Sequence, residues 1–461
     1  MMNKNLSIDY SIIQKYGLKF FKENEILPVM EEKIFIKLIS YKYMDKTKLE
    51  TFFLKPIKLE IIQKEIIEFS LQQIEYKFKI NEIASECILA NNTKNDSRIK
   101  ALLAMILEYV INLKSSDLHV EVQYNQTVFK ARIDGVLEEV FCFNIELFSM
   151  MSAICKLESN LDVAQKKLPQ DGRFSFIIQN KKYDFRISIV PTINRFESIV
   201  IRILDRSNEY LDLEKLGLEN NQLKIIQKNI KRLKGMVLVT GATGSGKTTT
   251  IYSIINSFDK TNKKIITVED PVEYDIDGIN QINIDEKQGL GFATILKNIL
   301  RQDPDVIFIG EIRDSESLRL AIQAALTGHL VIATLHTNDT IKTIDRLYDL
   351  GAEPFLIASV LKLVISQKLI KRLCDSCKEI YLYDEKMLFR SIGCSECSFN
   401  GYKKRDLLIE LLEITPEIEK YIHQKESSKI KIKRGEQLSM KLHQKLLDGK
   451  ISLEEYISHV L

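Results

Sequence analysis

Val237-Leu238-Val239-Thr240-Gly241-Ala242-Thr243-Gly244-Ser245-Gly246-Lys247-Thr248-Thr249-Thr250 is an apolar run that enters a loop with three glycines and then Lys-Thr at the head of a helical pattern. Strand, loop, lysine and helix in that order form the phosphate-binding P-loop in its required context. The glycines let the backbone turn with its N–H groups inward, and the following helix N-terminus adds unpaired donors and positive dipole. Lys247 is placed to reach the β- and γ-phosphates and the Thr248 hydroxyl to ligate Mg²⁺. Gly241, Ala242, Thr243, Gly244, Ser245, Gly246, Lys247, Thr248 and Thr249 are therefore the candidate nucleotide contacts.

Working outward, Glu214 to Arg232 reads as a helix. Strands are then expected at Gly235–Thr240, Lys264–Glu269, Val306–Ile309 and Leu330–Leu335, with helices at Lys247–Phe258, Phe292–Arg301 and Ser315–Leu326 and a hairpin-like run at Ile279–Ile284. Buried apolar strands alternating with amphipathic helices specify a mostly parallel sheet covered on both faces, with ligand loops at the strands' carboxyl ends. Three clusters fall there. In Thr267-Val268-Glu269-Asp270-Pro271-Val272-Glu273, Glu273 or Glu269 is placed to orient the attacking water and accept its proton. In Asp303 to Asp314, four apolar residues precede Gly310-Glu311; a glycine stands where many NTPases carry the Mg²⁺-holding Asp, which leaves Glu311 to act on the metal or on the nucleophile. In Thr327 to Asp339, His329 and His336 flank one strand and are candidates to sense the γ-phosphate as neutral imidazoles.

Upstream, Arg98 to Asp205 reads as a small α+β domain: a helix, a strand after Ser115, alternating runs joined by Asp134-Gly135, a helix at Ile145–Glu158, a second hairpin pattern and a closing strand at Ser198–Leu204. It carries Arg132, Arg173, Arg186 and Arg202 on or beside strands. Gln72 to Asn95 is polar and poorly periodic and reads as a linker. The first 75 residues read as a docking or packing domain with helices at Tyr10–Phe21 and Lys58–Phe69 and a strand at Glu32–Ile39.

At 461 residues the chain is long enough for roughly three domains of about 150 residues. A net charge of +3 is nearly balanced and argues against a dedicated nucleic-acid binder, so no direct nucleic-acid contact is expected. No apolar run is long enough to span a bilayer, which points to the cytoplasm. Four of the seven cysteines form two C-x-x-C pairs, Cys374/Cys377 and Cys394/Cys397, sixteen residues apart. That is tetrathiolate Zn²⁺ spacing, a structural site that closes a loop and performs no catalysis. Cys87, Cys142 and Cys155 lie among apolar residues and read as small hydrophobes. Lys371, Arg372, Lys403, Lys404 and Arg405 surround the cysteines and read as a solvated face. The tail from Leu407 is expected to be helical.

Taken together, the motifs resemble the type II secretion and type IV pilus assembly ATPases. Gly241 to Thr248 is similar to that family's Walker A, Thr267 to Glu273 to its aspartate box, Gln302 to Asp314 to its atypical Walker B and Thr327 to Thr337 to its histidine box. Upstream, Ser116-Asp117-Leu118-His119, Arg132-Ile133-Asp134-Gly135, Leu168 to Arg173 and Pro191-Thr192 resemble its second N-terminal domain. The resemblance implies an α/β fold: a RecA-like P-loop core at 220–370, an α+β, PAS-like domain at 98–205, a docking domain at 1–75, a linker at 76–97, a connector at 206–219, a tetracysteine zinc module at 371–405 and a helical C-terminal region at 406–461. It also implies a homo-hexamer that binds ATP, Mg²⁺ and Zn²⁺ and works on an inner-membrane platform protein and a membrane anchor protein. Glu273 is implied as catalytic glutamate, Glu311 as Walker B acid, and Arg186 and Arg202 as arginines reaching the nucleotide. Two departures are visible. Arg195-Phe196-Glu197 replaces a Gly-Glu turn and adds a residue, and Lys297 and Lys368 stand where arginine is common. The competing readings are a pilus retraction motor, a zinc-containing nucleic-acid translocase and a nucleotide-binding scaffold without turnover.

Overall fold

Six consecutive buried residues, Gly235–Thr240, form a strand only if both of its faces are covered. In the computed structural model they do so at the centre of a seven-stranded sheet. The structure describes residues 8–89, 95–133, 135–193, 195–204, 212–273, 275–286, 289–397, 399–432 and 435–460. Asp134 of the expected hairpin turn, residues 90–94 of the expected linker, residue 205 at the end of the expected α+β domain and 206–211 of the expected connector lie outside them. The chain divides into two units, residues 1–205 with 392–401, and residues 206–391 with 402–461.

In the first unit, α1 (Tyr10–Tyr16), α2 (Leu18–Asn24), β1 (Ile26–Glu31), β2 (Ile36–Ser40), α3 (Lys46–Phe53) and β3 (Ile57–Ile61) build a three-stranded sheet with its own apolar core. Lys58–Ile61, expected as helix, is thus strand. Next comes α4 (Lys64–Leu89), one helix of 26 residues through the stretch expected as a linker. Ile67 and Ile74 enter the first core and Ile80, Ala84 and Cys87 the next, so tertiary burial carries the helix through a polar sequence.

After α5 (Asn95–Asn112) come β4 (Ser115–Gln123), β5 (Gln126–Ile133), β6 (Val136–Asn144), α6 (Glu146–Glu158), β7 (Gln170–Ile178), β8 (Lys181–Pro191) and β9 (Glu197–Leu204). The strands form an antiparallel sheet in the order β6-β5-β4-β9-β8-β7. Leu118, Val120, Phe185, Ile187, Ile199 and Ile201 lie in its core. At the Arg195-Phe196-Glu197 departure, Arg195 itself takes the left-handed φ of 63° that a glycine would supply, and Glu197 turns inward. There Lys156 Nζ donates to Glu197 Oε1 and to the Gln165 carbonyl, both at 2.6 Å, and Ser152 Oγ donates to Glu197 Oε2 at 2.7 Å.

The second unit runs α7 (Asn220–Ile230), β10 (Gly235–Thr240), α8 (Lys247–Asn256), β11 (Ile265–Glu269), β12 (Asn280–Asn283), α9 (Phe292–Ile299), β13 (Val306–Ile309), α10 (Ser315–Leu326), β14 (Leu330–Leu335), α11 (Thr340–Asp349), α12 (Pro354–Val360), β15 (Leu361–Leu373), β16 (Lys378–Tyr383), β17 (Lys386–Ser391), β18 (Tyr402–Glu413), α13 (Pro416–His423), α14 (Leu438–Leu447) and α15 (Leu453–Val460). The main sheet has the order β12-β11-β13-β14-β10-β15-β18, parallel except for β18 against β15. Alternate residues of β10 serve the two faces: Met236 and Leu238 enter one core, Val237 and Val239 the other. The run at Ile279–Ile284 is a parallel edge strand on β11 rather than a hairpin. The expected helical tail begins instead with β18, whose Leu408–Leu412 are all buried. The module between β15 and β18 holds β16 and β17 as a two-stranded antiparallel ladder. Among the described residues no helix is long and apolar enough to cross a membrane.

The Lys156–Glu197 pair, with side chains 1% and 5% exposed, is satisfied on both sides. Breaking such a buried pair from one side strands the other charge and costs about 3–5 kcal/mol. Lys156→Met is expected to lower the stability of this unit by that amount in urea denaturation. A loss below about 1 kcal/mol, the range of an exposed pair, would contradict this.

Candidate functional site

Because β10, β11, β13, β14 and β15 are parallel, their carboxyl ends lie on one edge of the sheet. There Thr240 pairs with Leu335 on one side and Ser366 on the other, and the phosphate loop leaves the sheet. Gly241 is at φ 148°, and a Cβ built there would stand 2.5 Å from the Gln367 carbonyl oxygen and 2.7 Å from Ser245 Oγ, so only glycine fits. Gln367 Nε2 also donates to the Ser245 carbonyl at 2.7 Å, which ties the loop to β15 from below. Ala242, Thr243 and Gly244 are exposed, while Lys247, Thr248 and Thr249 at the start of α8 are half-buried. Lys247 Nζ donates to the Gly241 and Ala242 carbonyls at 2.7 and 3.1 Å, and burial lowers its pKa. Exposed loop backbone, a helix N-terminus and an ammonium held over the loop fit a triphosphate, with the Thr248 hydroxyl beside Lys247 available to its metal.

The two acids of the first cluster differ sharply. Glu269, 4% exposed, accepts from Thr267 Oγ1 at 2.6 Å and Gln281 Nε2 at 3.3 Å on one oxygen and from Tyr252 Oη on the other. Burial raises its pKa against these donors. Glu273 lies four residues on, beyond Pro271, and is half-buried.

In the second cluster, Gly310 N donates to the Val268 carbonyl at 2.7 Å. A Cβ at Gly310 would meet that oxygen at 3.1 Å and Glu269 Cα at 3.2 Å, a tight fit against backbone atoms. Glu311 follows; its Oε1 is paired with Arg313 Nε, and its Oε2 lies 3.1 Å from His336 Nε2. Arg313 also reaches Asp270 Oδ2 at 3.1 Å and so joins the Walker B and aspartate-box segments. This residue was not singled out from the sequence; an arginine two positions past a candidate acid is the signal that could have found it. Burial, then Lys247 and Arg313, lower the pKa of His336.

His329 does not join this group. Gly235 N donates to the His329 carbonyl, which puts this residue at the amino ends of β10 and β14. Six strand residues at about 3.3 Å each separate it from the phosphate-loop edge, roughly 20 Å. Its Nδ1 is instead engaged by the Ala324 carbonyl at 2.8 Å and Thr327 Oγ1 at 3.0 Å, closing the end of α10. Lys297 and Lys368 each meet a single acceptor, Glu316 at 2.7 Å and the His459 carbonyl at 2.6 Å, tasks that need no planar fork.

In the α+β sheet the register aligns Arg132, Asp117, Arg202, Arg186 and Arg173 in one cross-strand row over five strands. Asp117 is the acid within it: Arg202 Nε stands 2.9 Å from its Oδ1 and Arg132 Nε 3.9 Å from its Oδ2. Burial pushes the Asp117 carboxyl up, but hydrogen bonds from Ser116 and Arg202 outweigh it and hold the carboxyl below its usual value. Arg202 and Arg132 thus share the one Asp117 carboxylate.

Cys374, Cys377, Cys394 and Cys397 bring their sulfurs within 4.8 Å of one another. Cys394 and Cys397 Sγ are 3.9 Å apart, and the backbone N–H groups of Cys394 and Gly401 each point at Cys397 Sγ at 3.2 Å. Donors aimed at sulfur stabilise a thiolate, so the donor set fits a tetrahedral metal ion.

A parallel sheet with a phosphate loop and two acidic segments at its carboxyl edge defines a P-loop ATPase. The family profile described as Type II/IV secretion system protein matches residues 92–458. The chain is 39% identical over 382 residues to type II secretion system protein E of Pseudomonas aeruginosa, which covers 79% of this chain and 76% of that protein. It is 39% identical over 387 residues to the type IV pilus assembly ATPase PilB of Myxococcus xanthus, covering 79% and 68%. The crystal structure of the pilus retraction motor PilT with bound ADP superposes at a TM-score of 0.57 and 28% identity, over 77% of this chain and 96% of that one. The chain belongs to the type II/IV secretion system protein family.

Proposed function

We propose that this chain is the ATP-hydrolysing motor of a type II secretion or type IV pilus assembly machine, acting at the cytoplasmic face of the inner membrane through partner proteins. The observation that carries the reading is the meeting, at one sheet edge, of the phosphate loop with the Glu269–Glu273 and Glu311 segments. Assembly is favoured over retraction by the N-terminal domain and the tetracysteine cluster that accompany the ATPase core. ATP and Mg²⁺ occupy the phosphate loop, with Lys247 on the phosphates and Thr248 on the metal. Glu311, held between Arg313 and His336, supports the metal from the other side. Glu273 orients the attacking water, a role Glu269 is poorly placed for because both of its oxygens are already taken. Arg186 and Arg202 neutralise charge on the transferring phosphate, in a homo-hexamer whose domains shift between nucleotide states. Work is done on a polytopic platform protein, and the first 75 residues dock a membrane anchor protein.

The tetracysteine cluster holds a structural Zn²⁺. Cys394→Ser is expected to reduce bound zinc from about one ion per chain to well under half, read by elemental analysis of purified protein. Full zinc occupancy in that variant would contradict the assignment. Glu273→Gln is expected to bind a fluorescent ATP analogue as wild type does while turnover falls at least about a hundredfold. Wild-type phosphate release from purified Glu273→Gln protein would remove Glu273 from the mechanism.

A further inference from the structure

Tyr252 sits on α8, five residues after Lys247, and is 1% exposed. Its hydroxyl donates to Glu269 Oε2 and accepts from Glu273 N–H at 3.4 Å, while its ring lies edge-on to Phe308 of β13 with centroids 6.5 Å apart. One side chain thus connects the helix that begins at the phosphate-binding lysine, the strand of the Walker B segment and the main chain at Glu273. Glu269 completes the connection as a fixed anchor: Thr267 and Gln281 lock its other oxygen, so the acceptor of the Tyr252 hydroxyl cannot drift.

We infer that Tyr252 is a positioning residue that sets where the Glu273 carboxylate stands relative to the phosphate loop, through Glu269 and the Glu273 backbone. The inference rests on Glu273 being the water-orienting acid. A helix is stiff along its axis, so α8 fixes the span from Lys247 to the Tyr252 hydroxyl, and the hydroxyl fixes the loop after Pro271. Without it the Glu273 segment loses its tie to α8, and a displacement of about 1 Å at a catalytic group is enough for a loss of up to about a hundredfold in rate. Nucleotide binding by Lys247 and the loop is left as it was.

The test is steady-state and single-turnover ATP hydrolysis by the full-length protein carrying Tyr252→Phe, alone and combined with Glu273→Gln. Tyr252→Phe is expected to lower kcat at least about tenfold with KM for ATP within about twofold, and to add less than about twofold to the loss already present in Glu273→Gln, because residues acting as a unit are non-additive. Glu269→Ala, which removes the anchor and leaves Tyr252 in place, is the second variant and is expected to reproduce the same split and the same non-additivity; binding of a fluorescent ATP analogue reports that each variant is folded. Unchanged kcat, a loss confined to KM, or an equal loss in the wild-type and Glu273→Gln backgrounds would overturn the inference. If Glu273→Gln alone turned over like wild type, the assignment of Glu273 would fall together with the inference, whereas an inactive Glu273→Gln with additive Tyr252→Phe overturns the inference alone.

Discussion

Gly241 can pass the Gln367 carbonyl only because it has no side chain, and that close approach fixes the phosphate loop to the sheet. The constraint is local but its consequences are wide. β10 must be flanked by β14 and β15 for its end to meet Gln367, and β15 must be held in turn by β18, the one antiparallel strand. β15 runs on from Gln367 to Leu373 and delivers Cys374, and β18 returns from Tyr402. The strand pair that clamps the loop is therefore the stem of the cysteine module. A tetrathiolate metal at its end would hold the two strands in register.

Acidic residues in the second unit divide by what already surrounds them. Glu269 and Glu410 are buried and saturated: Glu410 accepts from Thr340 N and Oγ1 and from Leu438 N, and so fixes the starts of α11 and α14 against β18. Such groups are costly to bury unless satisfied, and satisfied they specify one arrangement. Glu273 and Glu311 stand nearer solvent, and Glu311 shares its oxygens with Arg313 and His336, which a metal ion would compete with for the carboxylate. Under the proposed function the chemistry falls to Glu273 and Glu311.

Much of this was legible in the sequence, and the failures have physical causes. The phosphate loop, the strands beside it and the acidic clusters follow from apolar runs and turn chemistry, which local residues dictate. The stretch Leu407-Leu408-Ile409-Glu410-Leu411-Leu412-Glu413 reads as helix because Leu and Glu favour helices and a strand buried on both faces shows no alternation. The α4 segment reads as linker because its core contacts, Ile80, Ala84 and Cys87, are widely spaced among polar residues. Arg313 and Tyr252 carry no motif of their own; only folding brings them to Asp270 and to Glu269. His329 shows the reverse error, since closeness to a motif in sequence is not closeness to the site when a whole strand intervenes.

We propose that Lys247 and the loop hold the nucleotide and that Arg186 and Arg202 are needed to turn it over. Equilibrium ATP binding and steady-state phosphate release, measured on the same preparations of wild type, Arg186→Ala and Arg202→Ala, separate the two most directly. Binding within about threefold of wild type with turnover reduced at least about tenfold is the expected result, the scale of losing a charge-stabilising group in phosphoryl transfer. Turnover equal to wild type in both variants would contradict it.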